Sequence, residues 1–327
     1  MDQEPMNGQN VAAEPRALTE QDKYDAKHAP TSYVFKNRKR RLGDRPDGYR
    51  LRTMQPMSKV SPYIMPNRCG ACVYFHDSFE VTEVENYIRK KRNQGLKGFG
   101  VMHVLLASYV RVVSQRPKVN RFLSGQRVYS HGDDIVILLT IKREMTLDSD
   151  ETIVKLHCSP TDTADDVYYK LNKLIEENRA ENPDSDFDST AKIFNFIPGL
   201  LLKNAVWFLK LLDYFGLLPR SLVEISPFHG SLFLTSMGSL GIPPVYHHLY
   251  DFGNIPAFLS FGAKYKKIEL KTDGTPVERK YVDYNVVCDE RICDGFNLAS
   301  AFKLMKSNLR NPHILDERPE TVHHDID

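Results

Sequence analysis

An α/β (α+β) fold, a mixed β-sheet with helices packed on it, is predicted by three features of the sequence. Strand-length apolar runs alternate with stretches of helical periodicity, but not in the regular β-α-β order of a purely parallel sheet. The chain has 327 residues, 41% of them apolar, enough to bury one large core. Between two polar ends there is no linker long enough to separate independent domains, and no internal repeat.

Residues 1–30 are polar, carry Pro, Gly, Gln and Asp without periodicity, and read as a disordered tail. A single domain is expected over 31–315, and 316–327 reads as a loose C-terminal tail. Within the domain, "CVYFHDSF" (72–79) has strand character. Residues 82–92 place Val84, Tyr87 and Ile88 at helical spacing. Residues 99–114 form a second helix, rich in apolar positions and stopped by Pro117. "DIVILLTIKRE" (134–144) is continuously apolar in its first half, the mark of an inner strand, and "ETIVKLHC" (151–158) is another strand. Residues 163–178 form an amphipathic helix with Val167, Leu171, Leu174 and Ile175 on one face. Then "SLFLTS", "AFLSFGA" and "VERKYVDYNVVCDE" are β-rich, before a closing helix over 297–308.

Charge excludes little and favours no polyanion. Lys plus Arg number 44 and Asp plus Glu 42, a formal net charge of +2, so there is no general electrostatic case for nucleic acid. The basic run "KNRKRRLGDR" (36–45) reads as a solvated arm, ahead of an anchor for phosphates or anionic lipid. Five cysteines, an odd number, and no secretory signal point to a reducing, cytoplasmic setting. The lone CxxC of Cys69 and Cys72 precedes a β-rich run rather than a helix and has no second ligand pair, so structural thiols are expected and no metal site.

The stretch "PGLLLKNAVWFLKLLDYFGLLPR" (198–220) is intensely apolar, and an apolar helix inserted at about 198–219 is expected. Lys203, Lys210 and Asp213 fall inside it and oppose a membrane span, which needs about 20 apolar residues with few charges. A buried or oligomer-facing helix is favoured over an interfacial membrane helix.

Three stretches taken in order resemble one known family. They are "RTMQPMSKVSPYIMPNR" (52–68), "FLTSMGSLGI" (233–242) and "VVCDERICDG" (286–295). Together they are similar to the catalytic domain of the dihydrolipoyl acyltransferases of 2-oxoacid dehydrogenase complexes, whose fold chloramphenicol acetyltransferase shares. The family motif His-x-x-x-Asp-Gly, commonly within Asp-His-Arg-x-x-Asp-Gly, is matched by Asp289-Glu290-Arg291-Ile292-Cys293-Asp294-Gly295. The likeness runs from about residue 52 to 312. The resemblance implies a chloramphenicol acetyltransferase-like mixed sheet flanked by helices, assembled as a homotrimer. It also implies a site between subunits that takes an acyl-CoA thioester as substrate and a small acceptor. Thr235 would stabilise the tetrahedral oxyanion, with Ser236 as the alternative. Asp294 would pair with an Arg to hold the loop, with Arg291 beside it, and Gly295 would permit the turn before the last helix. No lipoyl domain, lipoyl-bearing Lys hairpin or peripheral subunit-binding domain is recognisable, so a free-standing, divergent member is expected.

The position of the family's catalytic His holds Glu290. Proton transfer from a thiol, pKa ~8.5, to His is uphill by roughly 2.7 kcal/mol, and to an ordinary Glu by roughly 5.7 kcal/mol. The extra ~3 kcal/mol is a rate penalty of order a hundredfold unless burial raises the carboxyl pKa. Glu290 can therefore be a tuned base, a structural ion-pair partner, or the mark of a trimeric scaffold or CoA-binding pseudoenzyme. His247 and His248, in "PPVYHHLYDFGNIP", and His229 are the histidines that could replace the base, although local hydrogen bonding is their simpler role. Adjacent histidines on an extended segment point apart, which weakens a metal reading of His247 and His248.

Overall fold

The computed structural model describes residues 39–142, 151–180 and 198–325, all within one compact unit. The tail expected over 1–30 lies outside the described residues. A six-stranded sheet carries the architecture. Its strands are β2 (Cys72–Glu80), β5 (Ile135–Lys142), β6 (Glu151–Cys158), β7 (Leu232–Ser236), β8 (Ala257–Leu270) and β9 (Pro276–Asp289). They lie in the order β2-β9-β8-β7-β5-β6. β7 pairs in parallel with both β5 and β8, and the other pairings are antiparallel, so the mixed sheet is as expected. A small antiparallel sheet holds β1 (Tyr49–Arg50), β4 (Arg127–Ser130) and β3 (Arg121–Ser124) in that order.

The two-residue period of a strand divides the large sheet into two faces. Ile135, Ile137 and Leu139 of β5, Leu232 and Leu234 of β7, and Val286 of β9 point to the helical side and join the main core. The helices there are α2 (Thr82–Asn93), α3 (Val101–Gln115), α4 (Ala164–Ala180) and α7 (Gly295–Arg310). α3 is buried from His103 through Ser114, which is why its sequence is apolar on nearly every side. Leu138, Phe233, Phe258 and Val287 point the opposite way and form a second cluster with Leu249 and Ile255 of the 242–256 loop. β5 is thus apolar on both faces because both are covered.

The C-terminal stretch does not behave as a loose end. Asp316 takes a 2.6 Å contact from Lys91 Nζ, Asp325 receives Arg121 Nη2 at 2.7 Å, and His323 N donates to the Ser114 carbonyl at 2.8 Å. Part of its polar composition serves specific partners, while Glu317, Glu320 and Thr321 remain exposed.

The apolar stretch forms α5 (Gly199–Phe215), followed by α6 (Arg220–Ile225). α1 (Pro56–Ile64) lies earlier in the chain. α5 is not a buried helix within the chain, since Asp213 is its one buried residue. A narrow seam seats it: Leu202, Leu209 and Leu212 are half-buried and Asp213 is enclosed. Arg45 Nη2 donates to Asp213 Oδ1 at 2.7 Å and Nη1 to its carbonyl at 2.5 Å, while His229 Nε2 lies 3.3 Å from the same carboxylate. Arg45 also binds Asp47 at 2.9 Å and is 2% exposed. The end of the basic run is therefore a buried anchor and not a solvated arm. The turn between β3 and β4 approaches α5 so closely that a Cβ on Gly125 (φ +53°) would lie 2.2 Å from the Tyr214 carbonyl oxygen.

Burial pushes the Asp213 carboxyl up, but the His229 hydrogen bond and the Arg45 charge outweigh it, and its pKa falls below the ordinary value. Asp47 is lowered likewise, with Arg45 overcoming its burial. Both carboxylates therefore contribute stability above the unfolded carboxyl pKa of about 4, and lose it as pH falls through their lower folded values. Arg45→Met, which leaves buried Asp213 and half-buried Asp47 without their cation, should cost about 3–5 kcal/mol in urea unfolding at neutral pH. That penalty should shrink below about pH 4, as protonation removes the stranded charges. A pH-independent penalty would count against the pair.

Candidate active site

The outer face of the large sheet brings the candidate residues into tiers, each two residues from the next, or about 7 Å. Direct pairing puts His76, Asn285, Ser260 and Thr235 in one row across β2, β9, β8 and β7. The next row is Tyr74, Val287, Phe258 and Phe233. Beyond it stand Cys72 and Asp289, and the chain then turns at Glu290.

The polar row is tied internally. His76 Nδ1 lies 2.7 Å from Asn285 Oδ1, Asn285 Nδ2 donates to the Pro244 carbonyl at 3.0 Å, and Val245 N donates to Ser260 Oγ at 3.0 Å. Ser260 and Asn285 are buried, so these bonds satisfy groups that would otherwise cost free energy. Residues 244–245 therefore cross the face over β8 and β9. His76, His-to-Asn register and all, gave no sequence signal, because pairing across strands far apart in the chain is invisible to local pattern.

Thr235 and Ser236 part company. Thr235 shares the outer face with Phe233, whereas Ser236 points to the helical side and lines a cleft of about 440 Å³ with Val101, Phe261, Lys264 and Val282. Only Thr235 is on the face that carries the family-like turn.

At that turn the arginine's partner is Asp289, not Asp294. Arg291 Nε and Nη2 donate to the two Asp289 oxygens at 2.8 and 2.7 Å, and Nη1 donates to the Met65 carbonyl at 2.7 Å. Arg68 Nε lies 3.6 Å from Asp289 Oδ2, and its other nitrogens reach the carbonyls of Tyr250, Gly253 and Leu123. All three ionic side chains are buried. Asp294 instead caps α7: Oδ1 accepts from Asn297 N at 2.9 Å and Oδ2 from Asn297 Nδ2 at 2.6 Å. These bonds to Asn297 lower its pKa. Gly295 is the first residue of α7 and is exposed; the positive φ that a turn glycine would supply is not used there.

Glu290 is exposed, and its N–H donates to the Ala71 carbonyl at 3.0 Å. Among the described residues its carboxylate meets no hydrogen-bond or ion-pair partner, so the structural ion pair is not formed with any of them. About 17 Å separates Thr235 from the Asp289 end of β9, from about 3.4 Å per residue along β9 and about 4.8 Å per strand across two pairings.

His247 lies over the middle tier. Its ring stacks on Phe258 at 4.0 Å between centroids and on His248 at 4.7 Å, and Nδ1 lies 2.6 Å from the His248 carbonyl. Burial pushes its pKa down. The expectation that the two histidines point apart fails because the segment is not a strand. His248 is exposed and packs edge-on against Tyr250. His229 belongs to the seat of α5, with Ser226 Oγ 2.8 Å from its Nδ1. Asp251 accepts from the backbone of Arg68 and Cys69, and among the described residues no group of three or more His, Cys, Asp or Glu is arranged to hold a metal. Cys69, which is exposed, and Cys72 donate to separate carbonyls, those of Leu249 and Arg68, and both thiol pKa values are raised, which disfavours the thiolate.

No protein-family model matches the chain, and no curated protein does. Solved structures do. A probable dihydrolipoamide acetyltransferase of Listeria monocytogenes superposes with a TM-score of 0.51 at 13% identity, over 78% of this chain and 89% of that one. The cubic core of a pyruvate dehydrogenase multienzyme complex gives 0.51 at 12%, over 79% and 88%. The dihydrolipoamide acetyltransferase of Azotobacter vinelandii gives 0.52 at 14%, over 81% and 93%. At such identities the likeness is one of fold, and the fold is that of acyltransferase catalytic cores.

The two aspartates of the turn should separate in a denaturation experiment. Asp289→Ala strands Arg291 and Arg68 in the interior and should cost about 3–5 kcal/mol. Asp294→Ala removes a helix cap and should cost about 1 kcal/mol. Equal losses would contradict the assignment of the ionic frame to Asp289.

Proposed function

We propose that the protein transfers an acyl group from an acyl-CoA thioester to a small thiol, amine or hydroxyl acceptor, at a site completed by a second copy of the chain in a homotrimer. The observation that carries this reading is the exposed Glu290 carboxylate, without a partner among the described residues, at the turn that follows Asp289, the end of β9 about 17 Å from Thr235 on the same sheet face. Neither residue can complete a site alone. Exposed Tyr74, Val245 and Tyr246 on this side of the sheet, with the Tyr74 and Tyr246 rings 6.2 Å apart, supply an apolar surface for the neighbouring copy. In the Azotobacter vinelandii enzyme, a serine, a histidine and an asparagine four positions beyond that histidine have been studied for their role in the catalytic mechanism. Glu290 and Asp294 stand four positions apart here, and Thr235 is the proposed counterpart of the serine.

In this mechanism the base takes the acceptor's proton as its heteroatom attacks the thioester carbonyl. The tetrahedral oxyanion accepts a hydrogen bond from the Thr235 hydroxyl. Collapse breaks the carbon–sulfur bond, and the leaving CoA thiolate takes the proton back. Glu290, presented by the neighbouring copy, is the first candidate for the base. A second reading assigns it to His247. With Nδ1–H donated to the His248 carbonyl, the neutral ring leaves Nε2 as the acceptor, and its lowered pKa favours that neutral form.

Purified protein, assayed for CoA release with acetyl-CoA and longer acyl-CoA donors against a panel of acceptors, decides between them. Glu290→Gln should lower kcat by about a hundredfold or more with KM little changed, if the carboxylate is the base. A comparable loss in His247→Asn with an active Glu290→Gln assigns the proton to His247. Thr235→Val should lower kcat by about 10²–10³ in either case. CoA binding by a folded trimer without turnover across the panel would replace the enzyme with a scaffold or CoA sensor.

A further inference from the structure

α5 presents an apolar surface to the outside. Its seam to the body runs through Leu202, Leu209, Leu212 and Asp213. At about 100° per residue, the side opposite that seam carries Leu200, Trp207, Leu211 and Phe215, with Phe208 beside them and Asn204 the polar member. Leu200 is 78%, Trp207 62% and Phe215 64% exposed. Leu217 after the helix, and Leu222 and Ile225 of α6, are exposed as well.

The charges of the helix are sorted by side. Its single acid, Asp213, is turned inward and neutralised by Arg45 and His229. Both its cations, Lys203 and Lys210, are exposed on one flank of the apolar surface and meet no carboxylate among the described residues. To an approaching partner, α5 is thus an apolar ridge edged by positive charge alone. No described helix is long and apolar enough to cross a membrane. α5 rests on the β3–β4 hairpin of the small sheet, through Ser124 Oγ at 3.0 Å from the Asp213 carbonyl and Tyr214 Oη at 2.8 Å from Gln126. The apolar patch assigned above to a neighbouring copy is on the large sheet.

We propose that α5 docks the protein on an anionic lipid surface, lying in the interface plane with Leu200, Trp207, Phe208, Leu211 and Phe215 in the headgroup–acyl boundary and Lys203 and Lys210 against lipid phosphates. The chemistry is that of an interfacial amphipathic helix, in which apolar burial and attraction of lysines to anionic headgroups add. The proposal stands apart from the acyl-transfer reading.

Trp207 is the chain's single tryptophan, so its fluorescence reports on this surface directly. Full-length protein mixed with phosphatidylglycerol–phosphatidylcholine vesicles should show a blue shift of Trp207 emission and co-sediment, with weaker binding to phosphatidylcholine alone. Lys203→Gln with Lys210→Gln should weaken binding to the anionic vesicles by roughly thirtyfold, at about 1 kcal/mol per lysine, and leave the neutral-vesicle signal unchanged. Phe208→Asp with Leu211→Asp, exposed positions whose loss leaves the seam intact, should abolish both signals. Emission unmoved by either vesicle overturns the proposal. So does Trp207 emission that is already blue-shifted and shielded from acrylamide in lipid-free oligomer, because a second copy then covers α5.

Discussion

The Asp289 carboxylate, held between Arg291 and Arg68 in the interior, is the interaction on which the arrangement of the site depends. It closes the end of β9 onto the start of β2. Through Arg68 it reaches the carbonyls of Leu123, Tyr250 and Gly253. Three segments distant in sequence meet at one buried charge. A buried pair of this kind is costly to desolvate, and its cost is offset here because five of the six guanidinium nitrogens hydrogen-bond to Asp289 or to a backbone carbonyl. The consequence is a turn whose frame is rigid while the residue at its tip, Glu290, remains outside the frame and available to whatever approaches.

The fold was legible because its signals are local. The continuous apolar run of β5, the helical spacing in α2 and α4, and the all-round apolarity of α3 each follow from which faces an element buries. The partner of Arg291 was not legible. Asp289 and Asp294 both lie within three residues of it, and composition does not distinguish a carboxylate that caps a helix from one that enters the core. The structure makes the difference plain: Asp294 is followed by the unsatisfied N–H groups of α7, whereas Asp289 still belongs to a strand and faces Arg68. The row of His76, Asn285, Ser260 and Thr235 escaped sequence reading for another reason. Its members are set side by side by strand register, a property of pairings between residues up to about two hundred positions apart.

The chemical problem at position 290 is sharpened by the same geometry. A carboxylate becomes a strong enough base for a thiol when burial raises its pKa. Within one chain Glu290 is exposed, so that burial has to come from a neighbour that covers the turn. Burial against Phe258 favours the neutral form of the His247 imidazole within the chain itself, and the Nδ1 contact with the His248 carbonyl leaves Nε2 as the acceptor. The two candidates thus differ in what they require. One depends on assembly for its basicity, and the other depends on assembly only for its substrate.

The site and α5 share a platform. Leu123 O accepts from Arg68 of the turn's ionic frame, and the adjacent Ser124 Oγ accepts from Arg45, which seats α5. Lys210, Asp213 and Tyr214 of the helix line the same cleft of about 380 Å³ as Arg68 and Arg291. The β3–β4 hairpin is therefore clamped from two sides by buried arginines, each tied to a buried aspartate. Such an arrangement fixes the orientation of the exposed apolar helix with respect to the turn at Glu290. A helix merely tethered by its apolar side chains could roll about its axis. α5 cannot roll without withdrawing Asp213 from Arg45 and His229, which makes the direction of its outward face a property of the fold.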